Sequence, residues 1–334
     1  MSSRSDTRVL DTAIKVVAVI LAVAAIYLAY TFISVQLGER RTAPASRAIE
    51  NLLEAVEADP QNVQLRITLA EAFAAAGQQE ESFEQFSAAL ELDPDNANAL
   101  MGLALLSMFQ EDWEIAEEYW AEAIAQLEGG QYSGVDQRLE TAYHQMGATL
   151  MELQRYEEAA EYLRAALRLR RTAADTHYLM AVTYRELGSA RNERTHLENA
   201  LTFDPVMPEA NFDYAFILLD EGDPAGAAEH FRISVDNAPL TKTEPRDELR
   251  RFGPASERLA KARELEVADP SAALTEARIA RAIDPEDVEA ARMVASLYER
   301  TWDHAEALTA WRTVLELVPD DPEATEAISR LRAE

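Results

Sequence analysis

Hydrophobic and polar positions follow two different patterns along the chain. From Val16 to Val35 nothing alternates: VVAVILAVAAIYLAYTFISV is twenty residues without a charge. As a helix rising 1.5 Å per residue it would be about 30 Å long, one hydrocarbon thickness. Lys15 and the Gly38–Arg41 stretch bound it. Tyr27, Tyr30 and Phe32 lie in its C-terminal half, where an interfacial aromatic belt forms. Ala22-Val23-Ala24 resembles a signal-peptide cleavage site. Cleavage there would leave IYLAYTFISV exposed, and the run is longer than a signal h-region of about 7–15 residues. The expected layout is a tail over 1–15, a transmembrane anchor over 16–37 and a linker over 38–46.

Beyond residue 47 the pattern becomes periodic. Pro60 and Pro94 are 34 residues apart and close similar phrases, Glu-Ala-Asp-Pro and Glu-Leu-Asp-Pro; Pro205 and Pro239, and Pro285 and Pro319, share that spacing. Aligned on these prolines, residues 63–96 place Leu69, Ala70 and Phe73 in a first helix, end it at Gly77, and place Phe86 and Ala89 in a second. The same positions recur in 97–130 (Leu103, Ala104, Ala116, Trp120, Ala123), 140–173 (Met146, Gly147, Leu150, Ala159, Leu163, Ala166) and 174–207 (Met180, Ala181, Tyr184, Gly188, Leu197, Ala200). They recur again in 208–241 (Tyr214, Ala215, Leu218, Gly222, Ala227, Phe231, Ser234) and 288–321 (Val294, Ala295, Tyr298, Ala307, Trp311, Val314). Small residues mark where two helices approach most closely, large ones fill the space between hairpins, Gly supplies the left-handed residue after the first helix, and Pro stops the second.

A 34-residue helix–turn–helix period of this composition resembles the tetratricopeptide repeat (TPR). The resemblance covers about 47–334 and implies an all-α TPR solenoid, a right-handed superhelix, preceded by one transmembrane helix. The array over 47–241 begins with a lone helix (47–62). It is interrupted by nine extra residues around Gly129–Leu139 (insertion 131–139). Twelve more over 242–253 precede a degenerate hairpin, where Lys261 takes a small site, and the full repeat that complete 254–321. Residues 322–334 are expected to cap the end. Glu193, where Ala or Ser is usual, suggests a splayed pair, and each insertion suggests a bend or a flexible seam.

Composition narrows the chemistry. No cysteine occurs among 334 residues, which excludes disulfides, thiolate metal sites and a cysteine nucleophile. The formal charge is −29, from 60 acidic and 31 basic residues. Lys15, Lys242 and Lys261 are the three lysines. That balance opposes nucleic-acid binding, which needs clustered cations facing phosphates. His144, His177, His196, His230 and His304 show no metal-ligand spacing and read as solvent-facing. Gly129, Gly130 and Gly134 do not form a phosphate loop. The expectation is a protein that is not an enzyme and has no cofactor, metal or small-molecule substrate.

In TPR proteins the first helix of each hairpin lines a concave face that commonly grips a peptide or a partner helix. The resemblance therefore implies a partner groove of Ile67, Met101, Leu105, Met108, Phe109, His144, Met151, Tyr178, Val182, Phe212 and Phe216. Beyond the second insertion the lining would be Arg292, Ser296, Glu299 and Arg300. The apolar, Met- and Phe-rich middle suits an amphipathic helix or an unfolded segment. The Lys/Asn set that clamps a C-terminal carboxylate in chaperone-binding TPR domains is absent. Packing of the same residues within the array is the competing structural reading. The functional expectation is a membrane-anchored protein-interaction module holding a client or assembly partner. Its alternative is a fixed scaffold subunit of a secretion, pilus or cytochrome c maturation assembly. Arg4, Arg8 and Lys15 balance Arg40, Arg41 and Arg47 across the apolar run, so charge does not orient it. A short tail before a first apolar segment usually stays inside, which puts the array outside the cytoplasmic membrane.

Overall fold

The computed structural model describes residues 46–129, 134 and 136–332. The apolar run Val16–Val35 and most of the first insertion lie outside them. Among the described residues no helix is long and apolar enough to cross a membrane, and secondary structure is helical throughout.

The elements follow the proline register. A lone helix α1 (46–58) precedes the hairpins α2/α3 (Val63–Ala75, Gln79–Leu92) and α4/α5 (Ala97–Phe109, Trp113–Glu128). Next come α6/α7 (Gln137–Glu152, Tyr156–Leu169), α8/α9 (Ala174–Glu186, Ala190–Phe203) and α10/α11 (Pro208–Asp220, Pro224–Asn237). The second insertion holds a short helix, α12 (Glu244–Arg250). Then α13/α14 (Ala255–Leu265, Pro270–Ile283), α15/α16 (Val288–Arg300, His304–Leu317) and a final helix α17 (Pro322–Leu331) complete the chain. Two compact units meet at Ala142/Tyr143, inside α6.

The recurring Asp-Pro-x-Asn phrase explains how the first two hairpins start. Asn62 Oδ1 accepts from Leu65 N at 3.2 Å, and Asn96 Oδ1 accepts from Ala99 N at 3.2 Å. Each amide also donates to the aspartate of its phrase, Asn62 to Asp59 and Asn96 to Asp93. These caps satisfy helix N–H groups left without intrahelical partners. Between the helices a left-handed residue lets the chain reverse: Gly77, Gly188 and Gly222 have φ of 76°, 70° and 81°. In that geometry Gln78 N reaches Phe73 O, and Asp223 N reaches Leu218 O; Glu111 and Trp302, also at positive φ, give the same bond from Asp112 N to Ser107 O and from Asp303 N to Tyr298 O.

In the first unit α1 packs on α2 through Ile49, Val56, Leu69 and Phe73. The next layer joins Ile67, Ala70, Phe86, Ala89, Ala99, Leu103 and Leu106. Ser82, at a small site, donates to Ala70 O at 2.8 Å, so even its hydroxyl is satisfied in the close contact.

In the second unit α8 and α9 pack closely, and Glu193 does not splay them. Its carboxylate lies 3.8 Å from Arg185, which itself pairs with Asp213 at 3.0 Å. Burial still raises the Glu193 carboxyl above its usual range, with Arg185 opposing. The degenerate hairpin is likewise explained by charge. Lys261 and Arg258 both bind the buried Glu276, the latter at 2.9 Å, so the polar residue at the small site has its own partner.

The second insertion changes the stacking. α11 packs against α12 and directly against α14. Arg278 on α14 forks onto Glu229 of α11 at 2.9 and 2.7 Å, an Arg–carboxylate pair that raises the guanidinium pKa further. Arg232 on α11 donates to Ala282 O and Ile283 O, both at 2.7 Å, satisfying the last carbonyls of α14.

Candidate functional site

The helix α4, ANALMGLALLSMF, is apolar almost all round. One side is core: Leu100, Leu103, Ala104 and Leu106 are buried. The other side carries Met101, Leu105 and Phe109 at i, i+4 and i+8, hence along one stripe. Phe109 is 72% exposed and Leu105 is 48% exposed. They border a cleft of about 510 Å³ with Glu71, Ala74, Phe86, Asn98, Met101 and Gly102. Gly102 is needed there because a Cβ would sit 2.3 Å from the Phe86 ring. The Phe86 ring thereby reaches the cleft floor while remaining almost wholly buried. The cleft is apolar with polar groups near its edges, suited to side chains of a partner helix at i and i+4.

Two expected members of this groove belong elsewhere. Ile67 is core, packed with Ala70, Phe86 and Leu103, because the face it occupies is covered by the next hairpin. Met108 is half-buried, and its sulfur accepts from Trp120 Nε1 at 3.3 Å. Phe86 and Gly102 were the missed residues. Their hydrophobic positions mark a core, and only the missing Cβ at Gly102 hints that a ring must lie over it.

In the second unit the expected groove residues divide. Met151 packs on Ala160, Leu163 and Met180. His144 Nδ1 lies 2.8 Å from Thr176 Oγ1, and Val182 is half-buried. Tyr178 and Phe212, one repeat apart, come together in a pocket of about 330 Å³ with Glu209, Asp213, Lys242 and Pro245. The Tyr178 hydroxyl donates to Asp213 at 3.2 Å, and burial raises its pKa. Lys242 Nζ reaches Glu209 at 2.8 Å. The insertion therefore closes part of this face, which the sequence pattern did not reveal. Phe216, 39% exposed, stands edge-on to Phe212 at 5.2 Å and to Phe231 at 5.3 Å.

Toward the C-terminus the expected lining is engaged internally. Arg292 binds Asp321, the N-cap of α17, with Nε at 3.0 Å. Glu299 accepts from Trp311 Nε1 at 2.6 Å and from Arg330 at 2.5 Å. Ser296 and Arg300 line a cleft that α17 completes. The terminal helix thus packs against the last hairpin, through Ala324, Ala327 and Ile328.

Three histidines are not solvent-facing. His177 Nε2 donates to Arg171 O at 3.1 Å, so its Nδ1 is free to accept from His196 Nδ1–H at 3.0 Å. His196 stacks on Tyr184 and His177 on Phe203. Burial lowers both pKa values, His196 to about 4. His230 donates through Nδ1 to Asn211 Oδ1 at 2.7 Å and is lowered by burial too. Among the described residues no cluster of three ligating side chains could hold a metal ion.

Models of the tetratricopeptide repeat match residues 42–111 and 140–173. The chain carries tetratricopeptide repeats over those residues, and the described residues of both units are all-α, built of helical hairpins. Among curated proteins it is similar to BBSome complex member BBS4 of Bos taurus, 24% identical over 224 residues, 59% of this chain and 43% of that protein. The Xenopus tropicalis protein of the same name is 27% identical over 89 residues, 27% of this chain and 17% of its own length. The chain thus spans less than half the length of these relatives. Among solved structures it is similar to YrrB, described as a TPR protein with an unusual peptide-binding site. That likeness has 18% identity, a TM-score of 0.46, and covers 57% of this chain and 94% of that one. Pseudomonas aeruginosa pilF has 16% identity, a TM-score of 0.47, and coverage of 81% and 96%.

Proposed function

We propose that this TPR protein–protein interaction module holds the apolar face of a partner helix or unfolded segment in the α4 cleft. The observation that carries this is the stripe Met101, Leu105 and Phe109 left open beside a cleft of about 510 Å³. Burying such a stripe releases about 25 cal/mol per Å² of apolar area, the usual driving force for helix-in-groove binding. The proposed role is binding rather than catalysis. The uncharged run Val16–Val35 supports anchoring in the cytoplasmic membrane. We place the array on the outer side, where its net negative charge does not face the anionic cytoplasmic leaflet.

The double variant Leu105→Glu with Phe109→Glu tests the cleft. Phe109 is largely exposed and Leu105 about half exposed, so thermal unfolding should change little, while recovery of partner from detergent extracts should fall at least tenfold. Undiminished recovery with an intact fold would place the binding surface elsewhere. A fixed scaffold subunit is the second reading, supported by the curated relatives being members of a complex. Native-size separation distinguishes the two: a permanent large species fits the scaffold, a mostly free protein fits the client holder.

A further inference from the structure

The turn between α15 and α16 places the bulkiest side chain at a left-handed position: Trp302 has φ 63°, where other hairpin turns hold Gly77, Gly188 and Gly222 or the flexible, polar Glu111 and Gln154. A bulky residue there is a backbone outlier with a steric cost that glycine avoids. The ring does not repay this by packing inside: it is 82% exposed. One ring contact is present among the described residues, a stack on His304 with centroids 5.9 Å apart and planes 17° apart. The opposite ring face is open.

A second exposed apolar residue stands one hairpin away. Val267, 85% exposed, occupies the turn between α13 and α14. Arg300, just before Trp302, binds Glu266, just before Val267, at 2.9 Å, so the two turns are tied side by side. The residues around them lean acidic: Glu264, Asp269, Asp303 and Glu306 are exposed, and the exposed cations Arg263 and Arg300 are already paired with Glu289 and Glu266. Asp269 and Asp303 cap α14 and α16, accepting from Ala272 N and Glu306 N. Exposed apolar groups ringed by carboxylates, with one free indole face, match a cation on an apolar strand or helix. An Arg or Lys over an indole face is attractive, and the surrounding acids reinforce it. Anionic lipid is disfavoured by the same acids.

We propose that the paired turns of the last two hairpins, centred on Trp302 and Val267, form a docking patch for a basic-apolar segment of a protein partner. Trp302 receives an Arg or Lys side chain on its open face, and Val267 receives the adjacent apolar residue. This patch is separate from the α4 cleft and does not depend on that assignment.

The test uses the full chain in mild detergent and a fluorescein-labelled decapeptide of alternating Arg and Leu, read by anisotropy at low and physiological salt. The informative variant is Trp302→Gly. Because glycine suits φ 63°, the melting temperature should stay level or rise, while affinity should fall about tenfold and Val267→Ser should lower it about threefold. Trp302→Phe should retain most of the binding. Unchanged affinity in Trp302→Gly would show that the peptide binds the acidic surface indiscriminately and overturn the patch. A lowered melting temperature in that variant would assign Trp302 a structural role and also overturn it. Trp302-dependent binding to phosphatidylglycerol vesicles, without peptide binding, would replace the protein partner with a membrane surface.

Discussion

Replacing Phe231 by alanine is expected to destabilise the second unit by roughly 3–5 kcal/mol, the usual cost of emptying a fully buried aromatic site. Phe231 has no solvent exposure and meets three other rings: Phe212 at 5.7 Å, Phe216 at 5.3 Å and Phe252 at 6.4 Å. It thus joins the groove side of α10 to the segment following α12. Its core also includes Leu249 of α12 and Ile279 and Ala282 of α14. Removing the ring should loosen the insertion as well as the hairpin. Amide exchange should rise in residues 244–252 and in α14, and the urea midpoint of the second unit should drop. Because repeats couple mainly to neighbours, exchange in α2 to α4 should be unaffected. A uniform rise across both units would show that the array unfolds as one body.

The second large effect is on acid stability. His177, His196 and His230 are held neutral in the fold, with His196 lowered to about 4. A proton on His177 Nδ1 would set two donors against each other. A proton on His196 would charge an imidazole stacked on Tyr184. The unfolded chain binds these protons near pH 6.5, so it holds more protons than the folded chain below that pH. Stability contributed by the neutral rings is therefore complete above about pH 6.5 and is lost progressively as pH falls toward 4. For His196 the loss is on the order of 2–3 kcal/mol. Glu193 works in the opposite direction, since its raised pKa favours folding as pH falls. The clean readout is consequently the difference between parent and His196→Phe, which retains a ring against Tyr184. The parent's advantage should shrink by about that amount between pH 7.5 and pH 4.5. A constant difference would mean that His196 is not held neutral by the fold.

The repeat register was readable because each hairpin needs the same local chemistry. Asn62 and Asn96 cap, Gly77, Gly188 and Gly222 reverse the chain, and Ala70, Ala104 and Ala215 permit close approach. Those demands recur every 34 residues and leave a periodic trace. What did not recur was not legible. The pairing of Arg232 with the end of α14 joins residues about fifty positions apart, across an interruption of the period. Lys242 closing on Glu209 lies in the insertion itself. The histidines were misread because helical position alone gives exposure only to within one neighbour. His196 sits between Tyr184 and His177, and neither contact has a repeat signature. The candidate cleft was half legible: the stripe of Met101, Leu105 and Phe109 follows from helix periodicity, while the loss of Ile67 to the core depends on how the next hairpin covers it.

The most direct test of the central claim is site-specific photo-crosslinking in intact cells. A benzophenone side chain would replace Phe109 in one strain and Glu118, exposed on α5 of the same unit, in another. The cleft account predicts a discrete partner adduct from position 109, absent from position 118 and lost when Leu105→Glu is added. The compartment of that partner would also test the proposed placement of the array outside the cytoplasmic membrane. The same adducts from both positions, or crosslinks confined to this chain, would contradict it.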